Sequence, residues 1–267
     1  MKSWISTLLK GMFVGGTMLV PGVSGGSMAM ILGIYDRLIS AISSFFKSPK
    51  RNFLFLAVFV LGAGAGMLLF AKPLEALIEK FPRVMMYLFL GAVAGGVPMI
   101  YKKAQITKAS VWQTGWMLLG LLAVVAIAML PEGLFTVGGG WQASVLLAVA
   151  GFVAAIALIL PGISVSYLLL VLGLYDKIIA AIGNLDILFL LPLAVGLLLG
   201  IVLTTRTLET AMNRYPKATY LTILGFILAS MVQAFPGLPM GWEWPLCIVL
   251  AAAGFAAIRW ISGKEEE

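Results

Sequence analysis

The chain has 267 residues, of which 61% are hydrophobic and 11% charged, with a net charge of +7 and a mean hydropathy of +1.07. Soluble domains carry roughly a quarter charged residues, so this composition points to an all-α polytopic membrane protein, without room for a soluble domain and without a nucleic-acid partner. There is no histidine and one cysteine, Cys247, which excludes His-dependent lipid phosphatases, Ser-His proteases, HExxH metalloproteases, disulfides and cysteine metal sites; neither a catalytic residue nor a cofactor is expected.

In chain order, Met1–Val20 lacks a small-residue cleavage site and is not read as a removed signal peptide. The segment "VPGVSGGSMAMILGIYDRL", Val20 to Leu38, then places Pro, Gly and Ser inside an apolar stretch. Lys10 to Val20 and Ser27 to the Asp36–Arg37 pair each span about ten residues, or ~15 Å of helix, half of the ~30 Å hydrocarbon layer. Two half-length arms around a Pro-Gly-Ser turn predict a re-entrant helical hairpin with its tip, residues 20–27, near the midplane. Irregular backbone at that depth is tolerated only beside protein or a watery cavity. Phe53–Ala71, Val84–Ile100 and Val111–Leu130 predict three transmembrane helices. Gln142–Leu160, Ile187–Thr205, Ala218–Phe235 and Trp244–Trp260 are the apolar runs that follow.

The later runs repeat the earlier ones. At an offset of 140, Pro21, Gly22, Ser24, Leu32, Gly33, Tyr35 and Asp36 recur as Pro161, Gly162, Ser164, Leu172, Gly173, Tyr175 and Asp176, and Arg37 becomes Lys177. After six residues are dropped the match continues at an offset of 134: Gly62 and Gly66 pair with Gly196 and Gly200, "AKPLEALIEKFPR" with "TRTLETAMNRYPK", and Gly91 with Gly225. The chain therefore divides into homologous halves, 1–130 and 131–267, each predicted as a hairpin plus three transmembrane helices, with the second tip at 160–166. With the N-terminus in the cytoplasm, 14 basic residues face inward and only Lys72, Lys80, Arg83 and Lys177 face outward, as the positive-inside rule requires. Three spans per half is an odd number, so the halves are inverted, with both termini cytoplasmic. Inverted halves with broken helices are a signature of secondary transporters.

Helix N-termini favour anions. The stretches Ser24-Gly25-Gly26-Ser27 and Ser164-Val165-Ser166, with Gly22 and Gly162, therefore make a candidate pocket for a phosphate- or carboxylate-sized anion; the competing reading is a pair of packed helix caps. Arg37 and Lys177 are candidate landing charges for an anionic headgroup, and Asp36 and Asp176 candidate proton carriers, or else locally paired interface charges. Lys72 with Glu75 and Arg206 with Glu209 have the i, i+3 spacing of local bridges and are read as interfacial structure or as gating and coupling groups. Trp4, Trp112, Trp116, Trp242, Trp244 and Trp260 fit an aromatic belt, and Glu265–Glu267 a solvated tail. A channel lacks support, since neither a ring of charge nor a filter sequence recurs.

The paired "VPGVSGG…LGIYDRLI" and "LPGIS…LGLYDKII" stretches resemble the bacterial polyprenyl-phosphate transporter family, long catalogued as a domain of unknown function, over nearly the whole chain. The resemblance implies a flippase that returns undecaprenyl phosphate from the outer to the inner leaflet of the bacterial cytoplasmic membrane for reuse in cell-envelope synthesis, coupled to protons or another ion. It implies that Pro21–Ser27 and Pro161–Ser166 hold the phosphate, with Arg37 and Lys177 in support. Val165-Ser166 stands where the first motif has Gly25-Gly26. Membrane lipids and a second copy of the chain are further candidate partners, and a transporter of a small soluble anion is the alternative.

Overall fold

A computed structural model gives the fold and describes residues 2–20, 23–106, 111–133 and 141–263. The described residues form helices and no strand. In the first half these are α1 (Lys2–Thr17), α2 (Gly25–Ile31), α3 (Tyr35–Ser43), α4 (Pro49–Lys80), α5 (Pro82–Lys103) and α6 (Val111–Ala128). In the second they are α7 (Trp141–Ile159), α8 (Val165–Val171), α9 (Tyr175–Gly183), α10 (Ile187–Arg214), α11 (Pro216–Gln233) and α12 (Glu243–Gly263). The order of long and short helices thus repeats once. Five helices, α4, α5, α7, α10 and α12, are long and apolar enough to cross a membrane. Of the six expected spans, α6 and α11 are the shortest, at 18 residues each.

Local chemistry sets the breaks in both halves alike. Pro82 and Pro216 open α5 and α11 as first-turn prolines, and each disfavours helical backbone in the residue before it. Accordingly Phe81 and Tyr215 leave the helical region at φ −136° and −132° and end α4 and α10. Gly33 and Gly173 both take φ +68°. Ile34 N–H bonds to Ala29 O and Leu174 N–H to Leu169 O, with the Gly33 and Gly173 amides bonded to Met30 O and Leu170 O. This is a glycine-terminated helix end, the Schellman pattern. It stops α2 and α8 after seven residues and bends α9 away from α8 by 108°.

The long helices pair through glycines, as small residues permit in lipid. A Cβ on Gly62 would fall 2.4 Å from Leu8 O, one on Gly66 2.0 Å from Met12 O, and one on Gly15 2.0 Å from Ala63 O. These contacts advance together along both helices, so α1 and α4 run parallel, and the chain between them returns to the end from which α1 started. In the second half, Gly196 and Gly200 of α10 press in the same way against Ala148 and Phe152 of α7. The other tight pairs join the halves. Gly91 and Gly95 of α5 lie on Ala251 and Phe255 of α12, and Gly225 of α11 lies on Met117 of α6.

The expected ten-residue arms do not form. α1 has 16 residues, because the helix runs back through Lys10 rather than stopping there, while α7, at 19, follows the apolar run Gln142–Leu160. The first turn is carried further along α4: Val20 packs with Met85 and Phe89 beside Leu74, Ile78 and Phe81, near the α4–α5 junction. The main core lies between α2, α3, α5 and α11, with Met28, Ile31, Tyr35, Ile39, Ile100, Ile223 and Ile227 buried. Leu68 of α4 and Leu188 of α10 are 86% and 87% exposed, which marks these helix faces as the apolar surface turned to lipid.

Candidate functional site

α1 ends where Thr17 turns its hydroxyl back to Val14 O, at 2.9 Å. Residues 18–20 turn away from the helix, and Ser24 precedes α2 without capping it through its side chain. In the second half Ser164 does cap α8, its Oγ accepting from Tyr167 N at 3.3 Å. The two turns touch. A Cβ on Gly26 would lie 3.3 Å from Pro161 Cα, and the Tyr35 hydroxyl donates to Ile159 O at 2.6 Å. Met18 and Leu19 of the first turn are exposed and Ser24–Gly26 half-buried, whereas Ser27, in the first turn of α2, is 2% exposed and its Oγ has no hydrogen-bond partner. An orphaned buried hydroxyl is costly unless a ligand or water completes it. In the second half Pro161–Ile163 are buried, while Ser164 and Ser166 at the start of α8 are exposed.

The glycines do not all serve as expected. Gly162 takes φ +86° and is buried, and a Cβ there would strike the backbone of Phe226 at 2.5 Å; it is needed for the turn and for the close approach of α11, not for room around an anion. Gly26 is the point where the turns abut. A Cβ on Gly25 would meet the Met18 side chain first, at 2.8 Å. Pro21 and Gly22 lie outside the described residues, as do Lys108 and Glu265–Glu267.

The charged candidates separate. Asp36 does not pair with its neighbour Arg37. It accepts from Lys103 Nζ at 2.5 Å, tying α3 to the end of α5, while Lys103 also stands 5.8 Å over the Tyr220 ring. Arg37 turns the other way and stacks 4.2 Å over Phe55. Asp176 and Lys177, their counterparts on α9, are exposed. The expected local bridges are absent among the described residues. Lys72 and Glu75 are exposed without an ion pair. Arg206 and Glu209 reach instead across to the end of α3, where Glu209 accepts from the Ser43 hydroxyl and Arg206 Nε donates to Ser43 O at 3.4 Å. A tertiary partner displaced the local one because α10 packs along α3. Lys103 and Ser43 were not singled out in the sequence. Lys103 carried a signal, as the second of two lysines closing an apolar run, whereas Ser43 carried none.

The two halves are therefore not in the same arrangement. α3 packs on α10, yet α9 has no comparable packing on α4. At their other ends α5 and α12 are joined by the Arg83–Glu243 ion pair.

Paired helical halves built of long apolar helices, with one end latched by Ser43, Glu209, Asp36 and Lys103, define a polytopic membrane protein. No solved structure matches the chain. A family model described as undecaprenyl phosphate translocase-like matches residues 14–242, and the chain belongs to that family. It is 31% identical to a polyprenyl-phosphate transporter of Staphylococcus aureus over 266 residues, 94% of this chain and 93% of that protein. It is 28% identical to a polyprenyl-phosphate transporter of Vibrio cholerae over 248 residues, 88% of this chain and 78% of that one. The family is thus one of transporters rather than enzymes.

Proposed function

We propose that the protein translocates polyprenyl phosphate between the leaflets of a bacterial cytoplasmic membrane, returning the carrier lipid to the cytoplasmic side. The phosphate is held where the two turns meet, by the hydroxyls and amides of Ser24–Ser27 and Ser164–Ser166. The observation that carries this reading is the meeting of those turns at Gly26 and Pro161, with Ser27 Oγ buried and unpartnered. Only the headgroup needs a polar route; the polyprenyl tail stays in lipid. The exposed Ser164 and Ser166, and the exposed Lys177 with Ile179 and Ile182 on the same helix, suit a headgroup entering sideways with its tail outside.

In this reading each half is a re-entrant hairpin (α1 with α2–α3, α7 with α8–α9) followed by three spans, and the halves are inverted. The parallel run of α1 with α4 supports the first hairpin, and that of α5 with α12 supports the inversion. Both termini then lie in the cytoplasm, and the latch at α3 and α10 closes the cytoplasmic side. Transport exchanges this latch for its repeat mate, with α9 docking on α4 near Lys72 and Glu75. Asp36 and Glu209 lose their partners in that exchange and are the carboxylates through which a proton would couple.

Proteoliposomes test this. Short-chain polyprenyl phosphate in one leaflet is followed by its accessibility to an added phosphatase, with soluble phosphate as competitor. Ser27→Ala and the pair Ser24→Ala/Ser164→Ala should slow translocation roughly ten- to a hundredfold, the loss expected for hydrogen bonds to a charged group. Native rates in both variants, or transport of free phosphate in place of the lipid, would overturn the reading.

A further inference from the structure

Between the end of α3 and the start of α4 lies a cavity of about 350 Å³, lined by Arg37, Ser40, Ser44, Lys47, Ser48 and Arg51 with Asn52 and, at its floor, Ala41 and Phe55. It is separate from the two turns. α3 and α4 are joined by five residues, Ser44–Ser48, and α9 and α10 by three, Asn184–Asp186. α4 is also four residues longer than α10, at 32 against 28. These are the six residues by which the internal repeat slips from an offset of 140 to one of 134. The extra segment brings Lys47, Lys50 and Arg51, where the second half has no base between Lys177 and Arg206.

The helix starts differ in chemistry as well. Asp186 caps α10, its Oδ1 accepting from Phe189 N at 3.2 Å. Ser48 makes no side-chain cap on α4, and the dipole of a 32-residue helix opens toward the cavity. Asn52 Nδ2 donates to Ser44 O at 3.0 Å and holds the connecting segment over it. Arg37 is fixed by stacking on the buried Phe55. No carboxylate lines the cavity, and among the described residues neither Lys47 nor Arg51 has an ion-pair partner.

We infer that this cavity is a second anion site, for a phosphate group at the membrane surface on the side where α1 begins. Two arginines and a lysine suit a phosphate oxygen triad, three serine hydroxyls add donors, and the volume falls in the range of small-ligand sites. Basic pockets between membrane helices hold lipid headgroups. The phosphate can belong to the transported lipid on release or to a bulk anionic phospholipid. The site stands on the cavity alone and does not depend on the transport reading.

The test uses the full chain in a neutral detergent, titrated separately with inorganic phosphate, short-chain polyprenyl phosphate and phosphatidylglycerol. Lys47→Gln/Arg51→Gln is compared with Arg214→Gln/Lys217→Gln, which removes two exposed bases elsewhere, and circular dichroism and elution volume check folding. The first pair should weaken at least one phosphate ligand ~tenfold or more, the second should not, and Arg51→Lys should restore most of the affinity. Loss confined to polyprenyl phosphate assigns a release site for the cargo; loss confined to phosphatidylglycerol assigns a site for bulk lipid; loss for inorganic phosphate as well shows that the phosphate alone is recognised. Unchanged affinity for all three, or equal losses in both pairs, would overturn the site.

Discussion

Gly33 and Gly173 hold the left-handed conformation that a side chain disfavours by ~1–2 kcal/mol. Gly33→Ala and Gly173→Ala should each lower the melting temperature in detergent, whereas Gly64→Ala should be neutral or raise it slightly, because a Cβ at Gly64 meets nothing within 4 Å and alanine is the better helix former. Equal melting temperatures for all three would contradict the assigned backbone. At this scale the sequence was informative about which positions matter and less so about why. The repeated L-G-x-Y-D motif is visible on inspection, yet a glycine in an apolar run does not reveal a positive φ. Likewise Gly22, Gly26 and Gly162 read alike as room for an anion, while the fold spends Gly26 on the contact between turns and Gly162 on α11. That difference depends on a neighbour far along the chain, which spacing does not encode.

The helices themselves were legible wherever length and apolarity coincide, as in α4, α5, α10 and α12. The arms of the turns were not. Lys10 looked like a membrane boundary, but a lysine can extend its charge along an apolar stem, and α1 passes straight through it. Side-chain pairing was misread for a related reason. The i, i+3 spacing of Arg206 and Glu209 allows a bridge of only a few tenths of a kcal/mol, and a packed neighbour easily outbids it. Helix crossing is the testable property at this scale. Gly66→Leu would drive a side chain into Met12 of α1 and should destabilise by about 1–3 kcal/mol. Gly64→Leu, two residues along and facing open space, should not. Similar thermal stabilities for the two variants would rule out the α1–α4 contact.

For the molecule as a whole, the internal repeat predicts a symmetry that this arrangement breaks. α3 sits on α10, and its mate α9 stands off from α4. The repeat pairs Ser43 with Gly183, Arg206 with Lys72 and Glu209 with Glu75. Gly183 has no hydroxyl for Glu75, so in the proposed exchange the bond that can recur is the one from the cation to the backbone carbonyl, Lys72 to Gly183, and Gly183 has open space where a side chain would go. The measurement that bears most directly on the account is cysteine cross-linking of both latches in proteoliposomes, in a Cys247→Ser background. One pair is Ser43→Cys/Arg206→Cys and the other Lys72→Cys/Gly183→Cys, each treated with a short reducible thiol cross-linker while lipid translocation is followed. The account predicts that both pairs cross-link, that closing either one stops translocation of polyprenyl phosphate, and that reduction restores it. Failure of the Lys72/Gly183 pair to cross-link during turnover, or translocation at the native rate with the Ser43/Arg206 latch closed, would contradict it.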